Sequence, residues 1–171
     1  DLLVLSRIER EAKDSEIELE QMSLKMILEE AVEICRPKAE ENDIEIVLDC
    51  PDDLPLDINS TLLEQAVVNL LRNGITYSEP GQEVVVTAGV METSGTQKVR
   101  ISVKDSGIGI AKEHLPRLFE RFYRSDKARS RKEGGTGLGL AIVQTLLLAH
   151  GARITLEDPG EAGGSHFLIQ F

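Results

Sequence analysis

The stretch Gly134-Gly-Thr-Gly-Leu-Gly-Leu-Ala141 places four glycines at the start of a helix that is predicted to run from Gly137 to His150. Glycines before a helix leave backbone N–H groups free, and the positive end of the helix dipole then favours a phosphate. The spacing is similar to a dinucleotide-binding turn, but the flanking β-strand and acidic residue of that motif are missing, as is the Lys-Ser/Thr pair of a P-loop. The stretch therefore indicates either a phosphate-binding loop of a different fold or a flexible hinge.

A basic segment lies just before these glycines, in a chain that is otherwise acidic. The formal net charge is −11, and the first 64 residues hold 19 acidic and 6 basic side chains, whereas Lys112 to Lys132 holds 8 basic and 3 acidic ones. The acidic excess argues against a general nucleic-acid binder. The local basic segment indicates a site for one anionic ligand or a solvated, mobile loop, and the two interpretations are compatible.

Two phenylalanines and two arginines alternate within this segment, in Leu118-Phe-Glu-Arg121-Phe-Tyr-Arg124. Phe119 and Phe122 are expected to pin the segment to the body of the domain, and Arg121 and Arg124 are expected to reach phosphates. An amphipathic helical turn that packs its phenylalanines would give the same pattern.

A second glycine-containing stretch, Asp105-Ser-Gly107-Ile-Gly109-Ile110, directly follows a predicted strand. Glycines there allow a backbone to approach a ligand closely and to adopt positive φ. A partly buried aspartate at a strand end can accept a hydrogen bond from an exocyclic amine, such as the 6-amino group of adenine. Taken alone, the stretch is explained more simply as an Asp-Gly turn.

Three polar side chains share one face of an apolar helix predicted over residues 60–77. Asn69, Asn73 and Tyr77 are spaced four apart, while the neighbouring Leu70 and Leu71 face the core. Asparagine is a mediocre helix former, and its amide oxygen is a hard ligand suited to Mg²⁺. The stripe indicates a metal-binding face, an exposed polar stripe or a buried hydrogen-bonded pair.

The remaining pattern predicts an α+β fold. Ser23 is expected to cap a helix that Pro37 kinks or shortens, and Pro51 to Pro55 reads as a loop. Helices are predicted over residues 1–15, 24–41, 60–77 and 137–150, and strands over 16–20, 44–50, 83–91, 99–104, 152–156 and 166–171. This order predicts a two-layer sandwich, with a mixed, mostly antiparallel sheet and helices on one face.

Cysteine and histidine usage indicates no metal centre. Cys35 and Cys50 lack metal-type spacing and are expected to be free thiols in a reducing compartment. His114, His150 and His166 are scattered, and His150 falls at a predicted helix end, where a cation would suit the helix dipole. No apolar run is long enough to span a bilayer.

In this order and spacing, the motifs resemble those of the catalytic and ATP-binding domain of sensor histidine kinases, in the wider superfamily of gyrase, heat-shock-chaperone and mismatch-repair ATPases. Asn69–Tyr77 resembles the N-box and Asp105–Ile110 the first glycine box. Leu118–Arg124 resembles the F-box and Gly135–Leu140 the second glycine box. The resemblance covers roughly Ser23 to Phe171 and implies the Bergerat ATP-binding fold with a flexible ATP lid.

The resemblance implies ATP and Mg²⁺ as ligands and gives each motif a role. Asn73 would be the metal ligand, Asn69 and Arg124 would join it in catalysis, and Asp105 would read the adenine amine. Thr76 stands where family members often carry Lys. The nucleotide-binding residues implied are Asn69, Asn73, Tyr77, Asp105, Gly107, Gly109, Ile110, Phe119, Arg121, Arg124, Gly135, Thr136, Gly137, Leu138, Gly139 and Leu140.

The resemblance also implies a larger protein. Residues 1–15 would end the second dimerisation helix, residues 16–22 would form a linker strand, and residues 23–171 would form the catalytic domain. The phosphoacceptor histidine would lie upstream, and its phosphoryl group would pass to an aspartate of a response-regulator receiver domain. The intact protein would be a homodimer anchored in the bacterial inner membrane, with this domain in the cytoplasm and without a nucleic-acid partner.

Two other functions stay open. An ATP hydrolase of the same superfamily would typically carry glutamate at the position of Asn69 to activate water, and asparagine cannot accept that proton. A non-catalytic nucleotide-binding scaffold would not require Asn73, Asp105 and both glycine stretches to be intact.

Overall fold

A computed structural model describes residues 17–93, 95–124, 136–157 and 163–171 of the chain. The predicted N-terminal helix and residues 125–135 of the predicted ATP lid, Gly135 among them, fall outside these residues. The elements in chain order are β1 (Glu20–Ser23), α1 (Leu24–Glu41), β2 (Glu45–Asp49), β3 (Pro55–Ile58), α2 (Ser60–Tyr77), β4 (Glu83–Thr93), β5 (Thr96–Asp105), a 3-10 helix (Lys112–Arg117), α3 (Gly139–Ala149), β6 (Arg153–Glu157) and β7 (His166–Gln170).

The main sheet has five strands in the order β2-β4-β5-β7-β6. β2 pairs with β4 in parallel, whereas the β4–β5, β5–β7 and β6–β7 pairs are antiparallel. A separate two-stranded sheet pairs β1 with β3. The prediction of a mixed, mostly antiparallel sheet is therefore confirmed.

All three α-helices cover one face of this sheet. α2 lies between α1 and α3 and contacts β4 and β5, while α1 and α3 contact β2 and β6. Side chains alternate along a strand, so every second residue of the sheet faces the helices. These inward residues form the core with the apolar helix faces: Val84, Val86, Ile101, Val103, Phe167 and Ile169 are all buried.

The N-terminal strands differ from the sequence prediction. The strand predicted over residues 16–20 lies instead at Glu20–Ser23, and Pro55–Ile58, taken as the end of a loop and its continuation, forms β3. Each strand has only four residues, and the register Glu20 to Ile58 is fixed by pairing across more than thirty positions. The sequence pattern of one strand carries no information about which distant strand pairs with it.

The helix ends show which residues cap them. Asn59 caps α2, because its side-chain oxygen accepts the Leu62 N–H at 3.1 Å. Ser23 occupies the capping position of α1 but makes no side-chain capping bond. The Leu24 N–H donates instead to the Leu54 carbonyl at 3.0 Å, so the chain before β3 replaces the predicted cap. Pro37 lies on the exposed side of α1 and does not shorten the helix.

His150 locks the end of α3 to the start of α2. Its Nε2 accepts the Asn59 N–H at 3.1 Å, and its Nδ1 lies 2.7 Å from the Leu146 carbonyl. A ring nitrogen that accepts an N–H carries no proton, so this geometry requires the neutral ring, with Nδ1 as the donor. The expectation of a cation at this helix end is therefore wrong, because the Asn59 N–H donates to Nε2 of His150.

Candidate functional site

Asp105 lies at the end of β5 and is almost fully buried, with 6% exposure. Its Oδ1 accepts the N–H groups of Gly107 and Ser165, both at 3.0 Å, and its own N–H donates to the Ser165 carbonyl at 2.9 Å. Burial raises the pKa of the Asp105 carboxyl, while the hydrogen bonds from Gly107 and Ser165 act in the opposite direction. The carboxylate is thus held in one orientation by backbone donors.

Glycine is required where the backbone passes close to this aspartate. A Cβ on Gly107 would lie 2.3 Å from the Tyr77 carbonyl oxygen, and one on Gly164 would lie 1.9 Å from the Asp105 carbonyl oxygen. The Ile108 N–H also approaches the Tyr77 oxygen, at 3.4 Å. The end of α2 and the turn after β5 are therefore packed backbone to backbone.

The segment Gly163–Ser165 was missed as part of this site. The sequence presents it as the end of a glycine-rich turn, yet it clamps Asp105 from the other side. The signal that could have found it is the sequence Gly163-Gly-Ser165 directly before the last strand, because β7 pairs with β5 and so brings the two strand ends together.

The Asn69, Asn73 and Tyr77 stripe lies half-buried on α2, between the fully buried leucines and solvent. Gly139, the first residue of α3, faces Asn69, since a Cβ there would lie 3.9 Å from Asn69 Oδ1. The predicted phosphate-binding helix start therefore lies beside the asparagine face. Two motifs separated by about seventy positions in the sequence meet at one place.

The Phe122 backbone ties the arginine-containing segment to the second glycine stretch. Its N–H donates to the Gly137 carbonyl at 2.9 Å, and a Cβ on Gly137, which has φ 73°, would lie 2.8 Å from the Phe122 carbonyl carbon. Phe119 packs against the core as expected. Phe122 does not, because its φ of 63° turns the side chain outward and leaves it 61% exposed.

Arg124 presents a buried donor. One terminal guanidinium nitrogen is buried and has no hydrogen-bond partner among the described residues. A buried charged donor without an acceptor is costly, so this nitrogen suits an anionic ligand such as a phosphate. Arg121 is exposed, as is Thr136. Leu138 is buried, and Ile110 and Leu140 pack against the core, so Ile110 anchors its loop and the two leucines anchor the start of α3.

The opposite face of the sheet carries a separate polar network beside a groove of about 370 Å³. Ser102 Oγ lies 2.7 Å from His166 Nε2, and His166 Nδ1 lies 3.3 Å from a Glu157 carboxylate oxygen. Burial lowers the pKa of His166, with Lys104 and Arg100 acting in the same direction and Glu157 opposing them. Because these residues alternate with the inward core positions, the groove is distinct from the Asp105 region.

Within the described ranges, no group of three or more His, Cys, Asp or Glu side chains comes together as a metal site. Among the same residues, no helix is both long and apolar enough to cross a membrane.

Comparison with known proteins gives one family and many relatives. The family model described as histidine kinase-, DNA gyrase B-, and HSP90-like ATPase matches residues 58–171. The chain is 37% identical over 159 residues to the sensor histidine kinase WalK of Bacillus subtilis, covering 92% of the chain and 25% of WalK. It is 38% identical over 170 residues to the sensor-like histidine kinase SenX3 of Mycolicibacterium smegmatis, covering 99% of the chain and 42% of SenX3.

Among solved structures, full-length ShkA in complex with AMPPNP is similar, with a TM-score of 0.74 and 30% identity. That match covers 99% of the chain and 35% of ShkA. The chain thus spans less than half the length of each of these relatives.

Proposed function

Because the chain belongs to the histidine kinase-, DNA gyrase B-, and HSP90-like ATPase family, we propose that it is the ATP-binding catalytic domain of a sensor histidine kinase. It would transfer the γ-phosphoryl group of ATP to a histidine outside these residues. The observation that carries the proposal is Asp105, a buried carboxylate fixed by two backbone N–H groups between glycines that admit no side chain.

Asp105 would bind the adenine end of the nucleotide. Its buried carboxylate would accept a hydrogen bond from the exocyclic amine of the base, which guanine does not offer at that position. Tyr77 and the backbone at Gly107 and Gly109 would line this end. Ile110 would support the loop from the core side, where its side chain packs.

The phosphates would lie between α2, the start of α3 and Arg124. The guanidinium nitrogen of Arg124 that lacks a partner among the described residues, and the closeness of the start of α3 to Asn69, are consistent with a polyphosphate there. Arg121, Gly135, Thr136, Gly137, Leu138 and Leu140 would complete the phosphate end, the leucines through their backbone.

Asn73 would hold Mg²⁺ through its amide oxygen, with Asn69 supporting the metal and the phosphates. The donor set fits, because Mg²⁺ prefers oxygen ligands, keeps several waters and is usually bound together with substrate phosphates. When bound, the ion would neutralise charge on the β- and γ-phosphate oxygens.

The reaction would be a phosphoryl transfer to nitrogen. An imidazole nitrogen of the acceptor histidine would form a bond to the γ-phosphorus as the bond from that phosphorus to the bridging oxygen breaks, and ADP would leave. The residues of this domain would supply positioning and positive charge around the transferred group. A general base is not needed, because the neutral imidazole attacks with its own lone pair.

The whole protein would be larger. Residues 1–15 would end a dimerisation helix, residues 16–22 would link it to the catalytic domain at residues 23–171, and the acceptor histidine would lie upstream. The intact protein would be a membrane-anchored homodimer whose phosphohistidine passes its phosphoryl group to a response-regulator receiver domain. The relatives named as sensor histidine kinases support this arrangement.

A hydrolase of the same family is the second candidate, and Asn69 argues against it. Its amide cannot take a proton from an attacking water, so the chain has no base at the place where hydrolysis would need one. A scaffold that binds nucleotide without catalysis would not transfer phosphate to an acceptor histidine, whereas the kinase would.

Calorimetric titration with Mg-ATP and Mg-GTP tests the nucleotide site. The parent should bind ATP and discriminate against GTP. Asp105→Asn should lose about 1.5–3 kcal/mol of ATP binding, or roughly 10- to 150-fold in affinity, because a charge-assisted hydrogen bond to the base is lost. Equal affinity of parent and variant for ATP would show that the adenine assignment is wrong.

A further inference from the structure

Three side chains next to Arg124 form a cluster with no role in the site described so far. Tyr123 is half-buried, and its hydroxyl lies 2.7 Å from His114 Nδ1. The guanidinium carbon of Arg117 lies 4.5 Å from the centroid of the Tyr123 ring, within the range of a cation–π contact. We name His114, Arg117 and Tyr123 the tyrosine clamp.

Within the clamp, Tyr123 lies between two unusual residues: Phe122, which has a strained backbone, and Arg124, which has a buried nitrogen without a hydrogen-bond partner among the described residues. Phe122 precedes Tyr123 with φ 63°, a conformation that a residue with a side chain seldom adopts unless its surroundings hold it. The Phe122 side chain is exposed, so it does not supply that restraint. The restraint comes from the hydrogen bond of its N–H to Gly137 on one side and from the clamped Tyr123 on the other.

Arg124 follows Tyr123 directly. Its buried guanidinium nitrogen has no acceptor among the described residues, so no hydrogen bond of its own explains why that nitrogen stays buried. The backbone at Tyr123 sets the position from which the Arg124 side chain starts. That backbone is fixed by the contact of Tyr123 with the 3-10 helix Lys112–Arg117.

We propose that Tyr123 is a positioning residue for the phosphate end of the nucleotide, and that its hydroxyl bond to His114 and its ring contact with Arg117 direct Arg124 towards the phosphates. This inference rests on the proposed function and deepens it. Tyr123 does not itself touch the substrate. It acts through Arg124.

The residues proposed for the adenine end of the nucleotide differ from those proposed for its phosphate end. Asp105 is held by Gly107 and Ser165, whereas the hydrogen bond and the ring contact of the clamp are made by other residues. A loss of the clamp should therefore weaken binding of a polyphosphate and leave binding of the base and ribose unchanged. A general loss of folding would weaken both.

The experiment measures the affinity of the full 171-residue chain for Mg-ATP and for adenosine. Tyr123→Phe keeps the ring and removes the hydroxyl, and His114→Phe removes the same hydrogen bond from the other element. Each should weaken Mg-ATP binding roughly 2- to 10-fold, the effect of one neutral hydrogen bond, without changing adenosine binding. Arg124→Ala should cost ATP affinity roughly 10- to 100-fold.

A double variant tests whether the clamp acts through Arg124. In the Arg124→Ala background, Tyr123→Phe should cause no further loss, because the residue that it positions is gone. Arg36→Ala is the control for removing a positive charge, since Arg36 is exposed on α1 and pairs with Glu33. It should leave ATP affinity within twofold of the parent.

Two results would overturn the proposal. One is an equal loss of ATP and adenosine affinity in both clamp variants, which would make the clamp a structural contact. The other is a full, additive loss in the double variant. Failure of the proposed nucleotide site is distinguishable, because in that case the parent itself would bind neither Mg-ATP nor adenosine.

Discussion

At the scale of single residues, Asp105 combines a stability cost with a binding role. Its pKa is raised above the ordinary value of 3.8 because burial disfavours the charged form. A raised pKa means that the folded state holds the proton more tightly than the unfolded chain, so the associated stability is present at low pH and is lost as the pH rises through the folded pKa. At neutral pH the buried carboxylate therefore costs stability.

Asp105→Asn separates these two roles in one variant. Both backbone hydrogen bonds go to Oδ1, and an amide oxygen can accept the same pair. We expect the melting temperature without nucleotide at pH 7 to be unchanged or higher, while ATP affinity falls as stated above. Thermal melting and calorimetry on the same sample separate the two roles. A large fall in melting temperature with unchanged ATP affinity would assign Asp105 a structural role.

Asn73 is the residue on which the metal assignment depends. If its amide oxygen binds Mg²⁺, Asn73→Ala should abolish the Mg²⁺-dependent part of ATP affinity and shift the melting temperature by only a few degrees, on the order of 1 kcal/mol. Its half-buried position supports a small stability effect. ATP titration with and without Mg²⁺, together with thermal melting, is the measurement.

Asn42→Ala is a matched control for that variant, because Asn42 ends α1 and its side chain donates to the Lys38 carbonyl, away from the site. It should lower stability by a similar amount and leave the response to Mg²⁺ intact. A variant at Asn73 that melts much earlier but still binds Mg-ATP normally would exclude the metal role.

At the scale of secondary-structure elements, the sequence predicted long elements better than short ones whose pairing partner lies far away along the chain. α2, β4 and β5 were predicted because each carries its periodicity within one continuous segment. β1 was predicted at residues 16–20, ahead of its position, and β3 was not predicted, because each has four residues and is defined by its partner. The contact of Ser165 with Asp105 spans 60 positions and depends on the β5–β7 pairing.

The candidate site shows the same division. The sequence motifs identified Asn69, Asn73 and Asp105 as site residues but did not predict their arrangement in space. The outward Phe122, the acceptor role of His150 and the orphaned nitrogen of Arg124 follow from backbone conformation and from neighbours on other elements. Such contacts leave no periodic signal, so local patterns cannot predict them.

The open face of the sheet carries a pH-dependent element in β7. The pKa of His166 lies below its ordinary value of 6.5, chiefly because burial disfavours the charged ring. A lowered pKa means that the folded state binds fewer protons than the unfolded chain, so stability is complete above pH 6.5 and falls as the pH drops towards the folded pKa.

His166→Gln should remove that pH dependence while keeping a side chain able to hydrogen-bond Ser102. We expect the difference in unfolding free energy between parent and variant to shrink as the pH falls below 6.5. Denaturant unfolding at a series of pH values measures it. The difference between the two proteins isolates His166 from the other histidines, and a difference independent of pH would contradict the assignment.

At the scale of the whole molecule, the fold gathers the candidate site at one end of α2. The central helix ends beside Asp105, its asparagine face meets the start of α3, and the Phe122–Gly137 bond brings in Arg124. Residues 125–135 of the predicted lid fall outside the described residues, and the flexibility of the lid stays a prediction. The basic segment from Lys112 to Lys132 would attract a polyphosphate to this end of an acidic domain.

If this domain phosphorylates a histidine that it does not contain, as we propose, it should transfer the phosphoryl group in trans. The chain is incubated with Mg-ATP labelled at the γ-phosphate, with and without the upstream segment of the same protein supplied as a separate polypeptide. We expect acid-labile label on a histidine of the added segment, none on His114, His150 or His166, and almost no released phosphate without an acceptor. Stoichiometric label on one of those three histidines, or rapid phosphate release by the chain alone, would contradict it.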